Sequence, residues 1–135
     1  MSTDKLSGCR VLVVEDEMMI AMLLEDLLDE LGCEVVATAA HPEQAMEAIA
    51  TTPVDIAILD INLSGLDSYA IADTLITREI PFMFATGYGD RGVKEEYRMH
   101  PVLRKPFRID EMSNMLTATL QQAGRQETEP PRKTD

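Results

Sequence analysis

Apolar and polar residues follow two different rhythms along this chain. Short apolar runs at residues 10–14, 33–39, 54–60, 82–85 and 102–103 alternate with longer stretches in which apolar residues recur every three or four positions. The runs are rich in Val, Ile and Phe and are bounded by Pro, Gly and other turn residues, which reads as strands buried on both faces. The central run, Val54-Asp55-Ile56-Ala57-Ile58-Leu59-Asp60, follows Pro53, ends on a carboxylate and precedes the turn residues Asn62, Ser64 and Gly65.

The intervening stretches predict helices. Ile20, Leu23, Leu24, Leu27, Leu28 and Leu31 share one helical face, and Gly32 supplies a stop where a left-handed residue is needed. Met18 and Met22 lie on another face beside Glu25 and Asp29, where they either fill gaps at the core margin or form an apolar docking patch. His41-Pro42-Glu43 opens a second helix with Ala45, Met46, Ala48 and Ile49 facing inward. A third helix carries Ile71, Ala72, Leu75 and Ile76, and a last one Ile109, Met112, Met115, Leu116 and Leu120. Residues 90–98 are a weaker helix, with Val93 and Tyr97 alone at helical spacing and Gly92 within it, and form the candidate mobile element. Five strand–helix alternations imply parallel strands joined by right-handed crossovers, with helices on both faces.

Parallel strands bring their carboxyl ends to one edge, where ligands collect in an open α/β sheet. Glu15 and Asp16 follow the first strand, Asp60 ends the third, Thr86 ends the fourth and Lys105 follows the fifth. Three carboxylates a few ångströms apart repel by about 1–4 kcal/mol per pair at 4 Å, so they raise their own pKa values or recruit a cation. An all-oxygen set without His or Cys favours magnesium. A metal beside an acid suggests phosphoryl chemistry: Asp60 as nucleophile, Lys105 and the Thr86 hydroxyl on phosphoryl oxygens.

Composition narrows the class. At 135 residues, 45% of them apolar and with no long apolar run or signal-peptide pattern, the chain reads as one soluble, cytoplasmic domain. A charge of −12 argues against nucleic acid or membrane as partner. The domain is placed at residues 9–122, after an N-terminal extension 1–8 and before a polar, disordered tail 123–135 containing Pro130-Pro131. Cys9 and Cys33 read as small buried residues, and His41 and His100, each beside proline, as loop residues.

Val13-Val14-Glu15-Asp16-Glu17, Leu59-Asp60-Ile61-Asn62-Leu63, Ala85-Thr86-Gly87-Tyr88 and Lys105-Pro106-Phe107 together resemble the motifs of two-component response regulator receiver domains, over residues 9 to about 122. The resemblance implies a flavodoxin-like (βα)5 doubly wound parallel sheet, strand order 2-1-3-4-5. It makes Asp60 the phosphoacceptor, Glu15, Asp16, Asp60 and the Asn62 backbone carbonyl the Mg2+ site, Thr86 the switch hydroxyl and Lys105 the phosphate contact, with a cis Lys105–Pro106 bond. The partner is then a histidine kinase or phosphotransfer protein, and the output partner is unspecified. The chain takes part in its own phosphorylation and dephosphorylation without being a turnover enzyme, as a stand-alone switch or phosphate sink, monomeric or weakly dimeric.

Two positions depart from that family. Val102 stands where an aromatic switch residue is usual, and the stretch between Thr86 and Lys105 is short. With residues 81–89, both features look like the receiver subgroup named for a Phe-Ala-Thr-Gly motif, associated with HWE-class kinases in alphaproteobacteria. Phosphorylation is then expected to order residues 87–98 around Gly87 and Tyr88 instead of rotating a ring, and Tyr88 either shields the phosphoryl group from water or packs the loop. Three other readings compete. A flavin module is opposed by Glu15-Asp16-Glu17, which would repel a nucleotide phosphate. An aspartate phosphatase is opposed by Asn62, two residues after the nucleophile where an acid/base carboxylate is wanted. A pseudo-receiver would act as a phosphorylation-independent interaction module.

Overall fold

The computed structural model describes residues 6–63, 66–86 and 93–128. Five parallel strands form one sheet: β1 (Arg10–Val14), β2 (Glu34–Ala39), β3 (Ile56–Asp60), β4 (Phe82–Thr86) and β5 (Val102–Arg104), in the order β2-β1-β3-β4-β5. The expected order 2-1-3-4-5 is the observed one. Among the described residues four α-helices flank it: α1 (Met18–Glu30), α2 (Pro42–Thr51), α3 (Tyr69–Thr77) and α4 (Ile109–Thr128). None of them is long and apolar enough to cross a membrane.

Side-chain alternation along the strands divides the core in two. Leu12, Val14, Ala57, Leu59, Phe82 and Phe84 pack under α2 and α3, against Ala45, Ile49, Ile71 and Leu75. Val11, Val13, Ile56, Ile58, Met83 and Ala85 face α1 and α4, against Leu24, Leu28, Met112 and Leu116. Because both faces are covered, every residue of β3 and β4 is buried, Asp60 and Thr86 included.

The structure corrects several expectations. A single 3₁₀ turn, Glu95–Tyr97, stands among the described residues where the fourth strand–helix alternation required a helix. Its residues have little apolar surface of their own to bury and are held instead by α3: the Lys94 N–H donates to the Tyr69 hydroxyl at 2.8 Å, and the Tyr97 hydroxyl donates to Asp73 at 2.7 Å. Residues 93–98 are thus anchored, and 87–92 lie outside the described residues. Leu23, Ile76 and Ile109, expected inside, are exposed, because each helix buries a narrower arc than its apolar stripe. Met18 and Met22 are not gap fillers. With Met19 and Leu23 they form an open apolar patch, 75%, 55%, 82% and 42% exposed respectively.

Both domain edges differ from the expected boundaries. Leu6, assigned to the extension, is fully buried against α1 and α4, and the Gly8 N–H donates to the Gly32 carbonyl at 2.8 Å. Gly32 holds a φ of 90°, as its role as a helix stop requires. Helix α4 continues past residue 122 to Thr128, and residues 129–135 lie outside the described residues. The connection after β3, read as a plain loop, contains an antiparallel pair of two-residue strands, Asn62–Leu63 and Leu66–Asp67.

Cys9 and Cys33 are buried free thiols, as expected. His100 is more than a loop residue: it is half-buried, with its ring stacked 4.5 Å from Phe82. Burial holds its pKa below the usual 6.5 because the charged form loses hydration. The unfolded chain therefore takes up this proton first, and the protein loses stability as pH falls below about 6.5. Urea titrations near pH 7 and near pH 5 are expected to show a smaller acid loss for His100→Phe, which keeps an aromatic ring there and removes the titrating nitrogen.

Candidate functional site

The site is assembled by strand register. Val14 pairs with Leu59, Asp60 with Ala85 and Thr86 with Arg104, so β1, β3, β4 and β5 finish together. Backbone hydrogen bonds continue beyond the strand ends: Glu15 N–H to the Ala39 carbonyl at 2.9 Å, Ile61 N–H to Ala85 at 3.2 Å and Lys105 N–H to Thr86 at 2.9 Å. These bonds deliver Glu15, Asp60, Thr86 and Lys105 to one edge. The Lys105–Pro106 peptide is cis, as expected.

Carboxylate oxygens of Glu15, Asp16 and Asp60 lie within 4.8 Å of one another. Glu15 and Asp60 are buried and Asp16 half-buried. Lys105 Nζ stands 3.5 Å from Glu15 Oε1 and 3.7 Å from Asp60 Oδ1, a single cation between two anions. Its charge does not fully offset the burial. The Glu15 carboxyl is pushed up to about 7, first by desolvation and then by the Asp60 charge, against the opposing pull of the Glu17 N–H and Lys105.

Glu15 Oε2 accepts the Glu17 N–H at 3.2 Å, whereas the buried Oε1 has no hydrogen-bond partner. A buried carboxylate oxygen paired with Lys105 at the long distance of 3.5 Å, beside two further carboxylates, is the donor set a hard divalent cation takes up. The residues therefore fit magnesium. Glu15, Asp16 and Asp60 would hold it by side-chain oxygens.

One residue of the site escaped the sequence reading. Ser68, fully buried at the start of α3, donates through its hydroxyl to the Asp60 carbonyl at 2.6 Å and shares it with the Ile61 carbonyl at 2.8 Å. Its sequence signal, a Ser immediately before a helix, suggests an N-cap, yet the side chain turns back to the strand end instead of capping α3. Val102 is half-buried and pairs with Phe84. The rings of Tyr97 and His100 each lie 6.3 Å from Phe84, the residue with which Val102 pairs. Gly87 and Tyr88 lie outside the described residues.

A family model described as "Response regulator receiver domain" matches residues 11–117. The probable chemotaxis protein CheY of Rhizobium etli is 29% identical over 81% of this chain and 90% of its own length. The phyllosphere-induced regulator PhyR of Methylorubrum extorquens is 35% identical over 82% of this chain but only 43% of its own. Several other relatives are likewise matched over about half their length, among them the transcriptional regulatory protein TcrA of Mycobacterium tuberculosis at 47%. Among solved structures, SdrG from Sphingomonas melonis Fr1 superposes with a TM-score of 0.76 at 42% identity, over 84% of this chain and 97% of that one. The shared sheet order, the acidic edge and the match over most of the chain agree: this protein belongs to the response regulator receiver domain family.

Proposed function

We propose that this chain accepts a phosphoryl group on Asp60 from a histidine kinase or histidine phosphotransfer protein, and acts as a cytoplasmic signalling switch or phosphate sink. The observation that carries this reading is the position of Lys105 Nζ between Asp60 and Glu15 at a buried strand end. An Asp60 oxygen attacks phosphorus, an acyl phosphate bond forms, and the bond to the donor nitrogen breaks. Lys105 is already beside the nucleophile and neutralises charge gathering on the phosphoryl oxygens. Thr86, buried at the end of β4, offers a hydroxyl at the same edge. Magnesium, when bound, supplies the remaining charge neutralisation. Hydrolysis of the acyl phosphate releases phosphate and regenerates Asp60, so the chain acts as a reversible phosphoryl acceptor in place of a dedicated turnover enzyme.

The α1 patch suits the donor protein. Met18, Met19 and Met22 start two residues after Asp16, so their exposed, adaptable side chains border the acidic edge. The subgroup likeness favours an HWE-type kinase. SdrG has been solved in a BeF3-activated conformation, which makes beryllofluoride the natural mimic here as well.

Three measurements test this reading. Intact mass after incubation with acetyl phosphate and magnesium is expected to show one added phosphoryl group on the native chain and none on Asp60→Ala. An unmodified native chain that also fails to bind beryllofluoride by fluorine NMR would replace this reading with a phosphorylation-independent interaction module.

For the donor patch, Met18→Asp combined with Met22→Asp is expected to slow transfer from the protein donor by about tenfold or more, equivalent to 1.4 kcal/mol, while labelling by acetyl phosphate stays unchanged. Equal slowing with both donors would place the defect in the site and not in docking.

For the acidic cluster, the raised pKa of Glu15 means that the native state holds a proton the unfolded chain releases, so stability falls as pH rises from about 4.5 to about 7. Glu15→Gln is expected to be more stable than the metal-free native chain near pH 8, on the order of 1–2 kcal/mol by urea unfolding, and to lose magnesium-dependent labelling.

A further inference from the structure

No aromatic ring stands on β5, whose residues are Val102, Leu103 and Arg104, yet an aromatic cluster occupies the neighbouring segment and α3. The segment has few ties of its own. Its internal backbone bonds are Tyr97 N–H to the Lys94 carbonyl, Arg98 N–H to Glu95 and His100 N–H to Tyr97, at 2.9–3.2 Å. The first turn of α3 is one of its anchors, beside the core packing of Val93 and the rings of Phe82 and Phe84. The Tyr69 hydroxyl accepts the Lys94 N–H at 2.8 Å, the Tyr69 and Tyr97 rings stack at 4.5 Å, and Lys94 Nζ lies 4.9 Å from the Tyr69 ring centroid. One turn along, Asp73 accepts the Tyr97 hydroxyl.

That same first turn is tied to the phosphoacceptor strand. Ser68, the residue before Tyr69, bonds the carbonyls of Asp60 and Ile61 with its hydroxyl, while its own carbonyl accepts the N–H groups of Ile71 and Ala72, both at 3.1 Å. Two consecutive residues thus join the end of β3 to the segment at 93–100. This connection runs through α3, beside a second set of contacts from Phe82 and Phe84 of β4, against which the His100 and Tyr97 rings pack.

We propose that Ser68 and Tyr69 are positioning residues that couple the backbone at Asp60 to the placement of residues 93–100. The proposal rests on Asp60 being the phosphoacceptor. A shift of the Asp60 or Ile61 carbonyl alters the bond Ser68 makes, rotates the first turn of α3, and moves the Tyr69 hydroxyl and ring against which Lys94 and Tyr97 are seated. Ser68 touches the acceptor residue only through its backbone, so it acts on the reaction through Asp60 and is not itself catalytic.

The test is amide hydrogen exchange across residues 93–100, with and without beryllofluoride and magnesium, while fluorine NMR reports occupancy of Asp60. Native protein is expected to change exchange there by about fivefold or more on adding the mimic, the lower end of ordinary coupling between sites. Ser68→Ala and Tyr69→Phe are each expected to bind the mimic and lose most of that change, and Ser68→Thr, which restores the hydroxyl, to regain it. Tyr69→Phe keeps the buried ring, so it remains informative if Ser68→Ala folds poorly. The proposal is overturned if both variants respond like the native chain, or if Thr86→Ala abolishes the change while they do not, which would route coupling along β4. Absence of a bound fluorine signal in the native protein is failure of the phosphoacceptor reading itself and removes this proposal with it; a bound signal with no exchange response removes this proposal alone.

Discussion

Crowding of Glu15, Asp16 and Asp60 at one buried sheet edge costs free energy, and the surrounding structure is arranged to bear that cost. Folding does not remove the repulsion. It offsets it in part with one lysine and leaves Glu15 Oε1 without a hydrogen bond, so the pocket is prepared for added positive charge. A site of this kind needs a frame that cannot relax to separate the charges. The central strands β1 and β3 supply it: Asp60 ends β3 and Glu15 directly follows β1, so either would have to pull a packed strand end with it to escape.

The sheet and the acidic edge were legible in the sequence for a common reason. A strand covered on both faces must be apolar almost throughout, so Asp60 and Thr86 stand out as polar ends of apolar runs, and parallel connection then brings such ends together. Sequence reasoning was weaker wherever the outcome depended on which neighbour a side chain finds. Leu23 belongs to the apolar stripe of α1 by spacing and is exposed by packing. Leu6 has no periodic context, yet the turn against Gly32 makes it part of the core. Ser68 could not be separated from an ordinary helix cap without knowing which way its hydroxyl points.

Residues 93–100 show the same limit in reverse. Their poor helical pattern marked them as a weak helix and a candidate mobile element, but looseness did not follow for residues 93–100. A segment without its own core can be fixed by side chains of a neighbour when those side chains offer both a hydrogen-bond acceptor and a flat apolar face, as Tyr69 does. His100 joins the same cluster through Phe82, so aromatic stacking fastens the segment at Tyr97 and at His100.

At the opposite edge of the sheet, Cys9 and Cys33 are buried beside each other, and the Cys9 thiol is held above its usual range by its hydrogen bond to Cys33 and by burial. Both are nearly covered while the start of β1 stays paired with β2. Alkylation of these thiols therefore clocks the separation of β1 from β2: the ratio of its rate to that of an exposed thiol is the opening equilibrium of that edge. The native chain carries its own stability gauge, remote from Asp60 and readable without a single substitution.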